Sequence, residues 1–296
     1  MADSETKNMK PLKTYRGNCH CAAFVYEMEA TEIQSAHECN CSICYKKAYL
    51  WVSPAPGSYR VVKGDEATLT TYTFGDGKWL HKFCGVCATP LMVVFKSEES
   101  EPRRGLNARA IQGLNIRELE RLPIDGAAMG SKYQPPAYSG PEPSAIIDNA
   151  NMYYGSCHCG AVTVAFKTTP LDKEYPGTVI ECNCSICNRN GYVWVYPLKD
   201  QVVIQGNDNM AKYSFGTMCV EKWFCKTCGV NMANTATEMD EEQLATLPEA
   251  YRGLHGRAKL LAPLNLRVLN GFHISEIKEP EQATKGAELG RPYVNP

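Results

Sequence analysis

Fourteen of the fifteen cysteines fall into one spacing pattern written twice. Cys19 and Cys21 are followed by Cys39, Cys41 and Cys44, then by Cys84 and Cys87. Cys157 and Cys159 are followed by Cys182, Cys184 and Cys187, then by Cys225 and Cys228. Thiolates bind Zn²⁺ tetrahedrally, and four protein ligands close a structural site. Seven cysteines per copy make one closed site and leave three over. Three protein ligands and an open position are the arrangement of a catalytic zinc. A three-thiolate zinc is soft, so a fourth thiolate is a natural visitor, and coordination deprotonates it. A nucleophilic sulfur held beside an aldehyde or other electrophile then adds to it, or releases it in reverse.

Chain geometry suggests a division of the seven without fixing it. In C-x-C on a strand both thiols share one face, so a distant C-x2-C turn can complete four ligands. The compact C-x-C-x2-C supplies three thiolates from one loop. His20 and His158, inside the first C-x-C of each copy, are candidates for an eighth ligand. In an extended stretch, however, the middle side chain faces away from its neighbours. Two further readings stay open: wholly structural zinc in a binding module, and a metal-free redox or thiol-reactive triad. Cys219 has no counterpart and reads as a buried small hydrophobe.

The elements that must position these groups are duplicated too. Gly17–Cys21 matches Gly155–Cys159, and ECNCSIC occurs identically at Glu38–Cys44 and Glu181–Cys187. Tyr49 and Trp51 return as Tyr192 and Trp194, and Tyr72–Gly75 as Tyr213–Gly216. Leu114–Arg117 is paired with Leu264–Arg267. AAFVYEME, AVTVAFKT, LTTYTF, LMVVF, YVWVYP and QVVIQG are β-branched and aromatic at near-alternating positions, so strands dominate. The best helical signal is Met239–Leu247, acidic in its first turn and stopped by Pro248. Lys96–Arg104, the matching insertion of copy one, reads as loop. The domain plan is an N-terminal tail (1–13), a zinc domain (14–125), a Pro/Gly-rich linker (126–150), a second zinc domain (151–279) and a C-terminal tail (280–296).

The rest of the composition excludes more than it identifies. The chain of 296 residues has a net charge of −1, and its halves are equally balanced, which argues against a nucleic-acid binder. No apolar run is long enough to span a bilayer, so no membrane partner is expected. The start has no apolar signal-peptide core, and clustered thiols without export favour metal or catalytic roles over disulfides. The expected location is the cytoplasm, with the nucleus as the other compartment. Oligomeric state is not legible.

The order G-x-C-H-C, C-N-C-S-I-C, T-Y-T-F and F-C-x2-C resembles the family of glutathione-dependent formaldehyde-activating enzymes and centromere protein V. The resemblance covers roughly 15–125 and 153–279. It implies a mainly β, Mss4-like fold in two tandem zinc-binding domains with few short helices. It implies a structural zinc on Cys19, Cys21, Cys84 and Cys87, repeated on Cys157, Cys159, Cys225 and Cys228. It also implies a catalytic-type zinc on Cys39, Cys41 and Cys44, repeated on Cys182, Cys184 and Cys187, hence up to four zinc ions per chain. The implied activity is carbon–sulfur lyase chemistry on glutathione, as co-substrate, or on another small thiol or thiol adduct. The centromere-protein branch implies the alternative, a non-enzymatic module for protein or nucleic-acid interaction. Glutathione carboxylates need cationic partners, and Lys46 and Arg189, two residues past their triads, are the nearest substrate-binding candidates. Ala22, Ala48 and Ala88 replace glycines that copy two keeps as Gly160, Gly191 and Gly229, so the small-molecule site is expected to be better kept in copy two.

Overall fold

The computed structural model describes residues 11–96, 102–287 and 292–296. Part of the expected loop at Lys96–Arg104 and most of the N-terminal tail lie outside these residues. The first copy carries β1 (Lys13–Asn18), β2 (Val25–Ala30), β3 (Ser35–Cys39), α1 (Ser42–Lys47), β4 (Trp51–Val52) and β5 (Arg60–Lys63). It continues with β6 (Thr70–Tyr72), β7 (Trp79–Phe83), β8 (Pro90–Phe95), β9 (Arg104–Asn107) and β10 (Glu120–Ile124). The second repeats this as β11 (Asn151–Ser156), β12 (Thr163–Thr168), β13 (Val179–Cys182), α2 (Ser185–Asn190), β14 (Trp194–Val195) and β15 (Val202–Gln205). There follow β16 (Met210–Tyr213), β17 (Val220–Cys225), β18 (Asn231–Ala236), α3 (Glu241–Thr246), α4 (Glu249–Leu260), β19 (Leu264–Asn265) and β20 (Glu281–Ala283).

The protein is mainly β, in two tandem sheet-rich domains with one topology. Each has a three-stranded sheet, β1-β2-β5 or β11-β12-β15, and a seven-stranded sheet. The latter run β10-β3-β4-β9-β8-β7-β6 and β20-β13-β14-β19-β18-β17-β16, so the matched strands hold matched places. Among the described strands the parallel pairs are β10 with β3 and β20 with β13, at one edge of each seven-stranded sheet. Among the described residues no helix is long and apolar enough to cross a membrane.

The structure revises three details of the repeat. Pro248 does stop α3, which Asp240 and Gln243 open with a capping box, but it also starts α4. The counterpart of Leu264–Arg267 is Leu106–Arg109, not Leu114–Arg117: Asn107 and Asn265 each cap the following arginine's turn. Local wording at 114–117 imitates the repeat, but strand order decides it. The segment read as a C-terminal tail supplies β20, the edge of the second sheet, just as β10 edges the first.

The copies interlock. Ile43, Cys44 and Tyr49, around α1 of the first copy, belong to the core of the second. Lys46 is buried and donates to Ser156 O at 3.0 Å, Val268 O at 2.9 Å and Asn270 Oδ1 at 2.9 Å, all in the other copy. Arg189 mirrors it, reaching Asn18 Oδ1 at 3.2 Å and Asn295 Oδ1 at 2.8 Å. Ala22, Ala48 and Ala88 have φ of 60°, 50° and 58°, the left-handed conformation that Gly160, Gly191 and Gly229 adopt without strain. These exchanges therefore bear first on backbone strain.

Candidate functional site

The strands bring the first C-x-C and the last C-x2-C of each copy together. Cys19, Cys21, Cys84 and Cys87 form one group whose sulfurs all lie within 4.8 Å of one another, and Cys157, Cys159, Cys225 and Cys228 form its twin. The Cys19–Cys21 and Cys21–Cys84 sulfurs are 3.6 and 3.5 Å apart, and the Cys157–Cys159 pair 3.6 Å. A tetrahedron with metal–sulfur arms of 2.3 Å has edges of about 3.8 Å. The donor set and spacing therefore fit a closed four-thiolate zinc.

Cys39, Cys41 and Cys44 make a separate three-sulfur group, as do Cys182, Cys184 and Cys187. In each the first two sulfurs are half-buried and the third, on the helix, is buried. Three thiolates fit a zinc with one ligand position left over. Beside the first triad Tyr49 stacks on Trp51 at 4.1 Å, and the indole N–H of Trp51 donates to Cys44 Sγ at 3.3 Å. Tyr192 and Trp194 form the equivalent wall of the second.

The ring of His158, a candidate eighth ligand in sequence, goes to the other copy rather than to the cysteines of its own. Nε2 lies 2.9 Å from Ser42 Oγ, between Cys41 and Cys44, and Nδ1 lies 2.8 Å from Tyr72 OH. His20 mirrors it with Ser185 Oγ and Tyr213 OH, both at 2.8 Å. Burial, aided by Arg189, pushes His20 down to about 4; burial, aided by Lys46 and Lys47, pushes His158 down to about 3. Both imidazoles are neutral near pH 7. Each triad is therefore lined by both copies.

The linker and tail turn out to be a repeated arm that finishes these sites. Tyr133 stacks on His158 at 4.3 Å and donates to its carbonyl at 2.8 Å; Tyr293 does the same to His20 at 4.5 and 2.8 Å. Upstream, the Ala127 and Ala287 amides donate to Asn40 and Asn183 inside the triad loops. Gly126 and Gly286 pass so close to Cys39 and Cys182 that a β-carbon at either would overlap the sulfur. The sequence signal was present, G-x-x-Y at Gly130–Tyr133 and again at Gly290–Tyr293.

Lys46 and Arg189 are not placed as substrate cations. Two helical residues past a triad cysteine turn the side chain by about 200°, away from the sulfurs and into the partner domain. All three ammonium hydrogens of Lys46 are used there, and Arg189 lies against Tyr293 as well. Two other cations face the triad walls: Lys47 lies 5.7 Å from the Tyr49 ring centre, and Lys222 on β17 lies 5.6 Å from that of Tyr192 and 5.0 Å from that of Trp194. Copy one has His81 there, buried beside Tyr49 and Phe74 with Nδ1 unpartnered. Cys219 is buried and outside every sulfur cluster.

Sequence comparison matches the family described as glutathione-dependent formaldehyde-activating enzyme at residues 14–112 and again at 152–252. The chain belongs to that family. As a tandem member it carries the family's unit twice, and each match includes both C-x-C segments and the last C-x2-C. A crystal structure of a Rhodobacter sphaeroides protein is also similar, with 23% identity over 44% of this chain and 99% of that one and a TM-score of 0.32.

Proposed function

We propose that this family member is a zinc-dependent enzyme of the carbon–sulfur lyase type, acting on glutathione or other thiol adducts of an aldehyde or electrophilic metabolite. The observation that carries this reading is the contrast within each copy. Four sulfurs close one cluster, while three sulfurs, two of them half-buried, make the other, faced by an aromatic wall and an imidazole from the partner domain. Zinc bound to the triad would supply a soft Lewis acid that favours thiolate over thiol.

The chain's own residues supply the rest. A neutral imidazole has one donor and one acceptor nitrogen. His158 therefore donates to one of Ser42 and Tyr72 and accepts from the other. The hydroxyl that accepts keeps its own hydrogen for a ligand. That hydroxyl is placed to donate to an aldehyde or hydroxymethyl oxygen as charge develops there. In the synthetic direction sulfur bonds to the carbonyl carbon, the C=O π pair moves to oxygen, and the oxygen takes the proton given up by the thiol. The lyase direction returns each of these. Tyr49, Trp51 and Phe74 shield the reacting atoms from water.

Exchange NMR on a mixture of glutathione and formaldehyde tests the proposal. The zinc-loaded chain should speed interconversion of free thiol and S-hydroxymethyl adduct above the spontaneous rate. The Cys41→Ser/Cys184→Ser variant should not. Equal rates with and without the folded wild-type protein, for this and other aldehyde–thiol pairs, would refute it.

A further inference from the structure

Where the two copies meet, a cavity of about 230 Å³ is walled by Arg109, Arg117 and Arg121 from the first and Arg267 from the second. Two carboxylates, Glu38 and Glu181, also line it. Yet none of the four guanidinium groups forms an ion pair among the described residues; the pairs found there all lie elsewhere. What holds the arginines is backbone. Arg109 donates to Ala48 O and Asn188 O, and Arg267 to Gly191 O and Tyr45 O, so each spans both copies. Arg117 donates to Glu181 O and Arg121 to Ile116 O. These bonds use only one or two of the five N–H donors of each group. Nη1 of Arg121 is buried with no partner at all.

Like charges gathered in a partly desolvated space repel, and their crowding shows in Arg109. Burial first, then Arg267 and Arg121, pushes it down to about 9. Planar guanidinium groups with spare donors match the oxygens of a carboxylate or similar anion. We propose that this cavity is a binding site for a small carboxylate or other oxyanion, held by the four arginines at the seam between the copies. Cys182 and Cys187 of the second triad lie in the same wall. The anion therefore has two sources: the carboxylate of a thiol ligand whose sulfur sits at that triad, which rests on the function proposed above, or a separate small anion.

Calorimetric titration of the full-length, zinc-loaded chain at low ionic strength separates these. The probes are succinate, glutathione and glutathione diethyl ester, applied to wild type and to Arg117→Gln/Arg121→Gln. Succinate should bind wild type and bind the double variant at least tenfold more weakly, with zinc content and anion-free Tm unchanged. Arg117→Lys/Arg121→Lys should recover part of the affinity. A preference for glutathione over its ester that the double variant loses assigns the site to the thiol ligand's own carboxylate. Equal affinity for glutathione and its ester, with succinate still bound, assigns it to a separate anion. Because succinate carries no thiol, its binding survives even if the thiol chemistry is refuted. Should the double variant not fold, Arg117→Gln alone, at an exposed position, gives the same reading. No succinate binding together with no acid-over-ester preference overturns the proposal. So does binding that the arginine substitutions leave unchanged.

Discussion

The imidazole of His158 meets the hydroxyl of Ser42 across 116 residues of chain, Nε2 to Oγ at 2.9 Å, and His20 meets Ser185 in the same way. Each three-cysteine centre is thus finished by the other copy. The crossing makes a directional prediction. With the second triad removed by Cys182→Ser, thiol binding at the first should weaken at least tenfold in His158→Asn and remain in His20→Asn. Thiol titration of the cobalt-loaded protein reads both. An effect of His20→Asn equal to that of His158→Asn would place each imidazole with its own copy.

Lys46 should matter for stability rather than for ligand affinity. Its ammonium is buried against two carbonyls and an amide oxygen of the other copy. Lys46→Met takes the donor from all three acceptors and leaves Asn270 Oδ1 with Ser156 Oγ alone, at a cost of about 2–4 kcal/mol. Chemical denaturation should show that loss while thiol affinity of the folded protein changes less than threefold. A substrate cation would give the opposite pattern.

Gly191 and Ala48 hold equivalent places in the repeat and touch each other, so that a β-carbon on Gly191 would overlap the Ala48 methyl. Both have positive φ. Gly191→Ala should therefore destabilise by about 2 kcal/mol or more through strain and overpacking. Adding Ala48→Gly should recover at least half of that, because the pair then has one methyl again. A double-mutant cycle by chemical denaturation measures it, and additive single effects would contradict the contact.

The fold class, the duplication and the grouping of cysteines were legible because ligand spacing and strand patterning are local properties. The histidines were not, since nothing at Cys157-His158-Cys159 says which domain will pack against it. Lys46 and Arg189 misled for a local reason. C-x2-C was read as a loop, whereas Ser42–Lys47 and Ser185–Asn190 are helices that turn those two side chains away. The prolines at 135–143 read as a spacer and say nothing of Tyr133, whose counterpart Tyr293 lies in the segment that reads as a C-terminal tail.

His81 sets an acid limb of stability. Burial pushes its imidazole from 6.5 down to about 3, so the unfolded chain binds the proton first. Stability from this group is full above pH 6.5 and falls as pH drops toward 3. At pH 6.5 the difference is about half a proton, or about 0.7 kcal/mol per pH unit. Denaturant titrations closely spaced around pH 6.5 should show the slope reduced by that amount in His81→Leu. An unchanged slope would mean that His81 titrates in the fold as it does in the unfolded chain.

The central claim is that each three-cysteine group holds a metal with a position open to an external thiol. Cobalt substitution tests it most directly, since thiolate-to-cobalt charge-transfer bands strengthen with each sulfur ligand. The account predicts that glutathione or another small thiol reversibly strengthens these bands in the wild-type chain. Most of the response should vanish in Cys41→Ser/Cys184→Ser, which leaves both four-cysteine groups intact. Spectra that ignore every thiol, with four-ligand signatures at all sites, would contradict it.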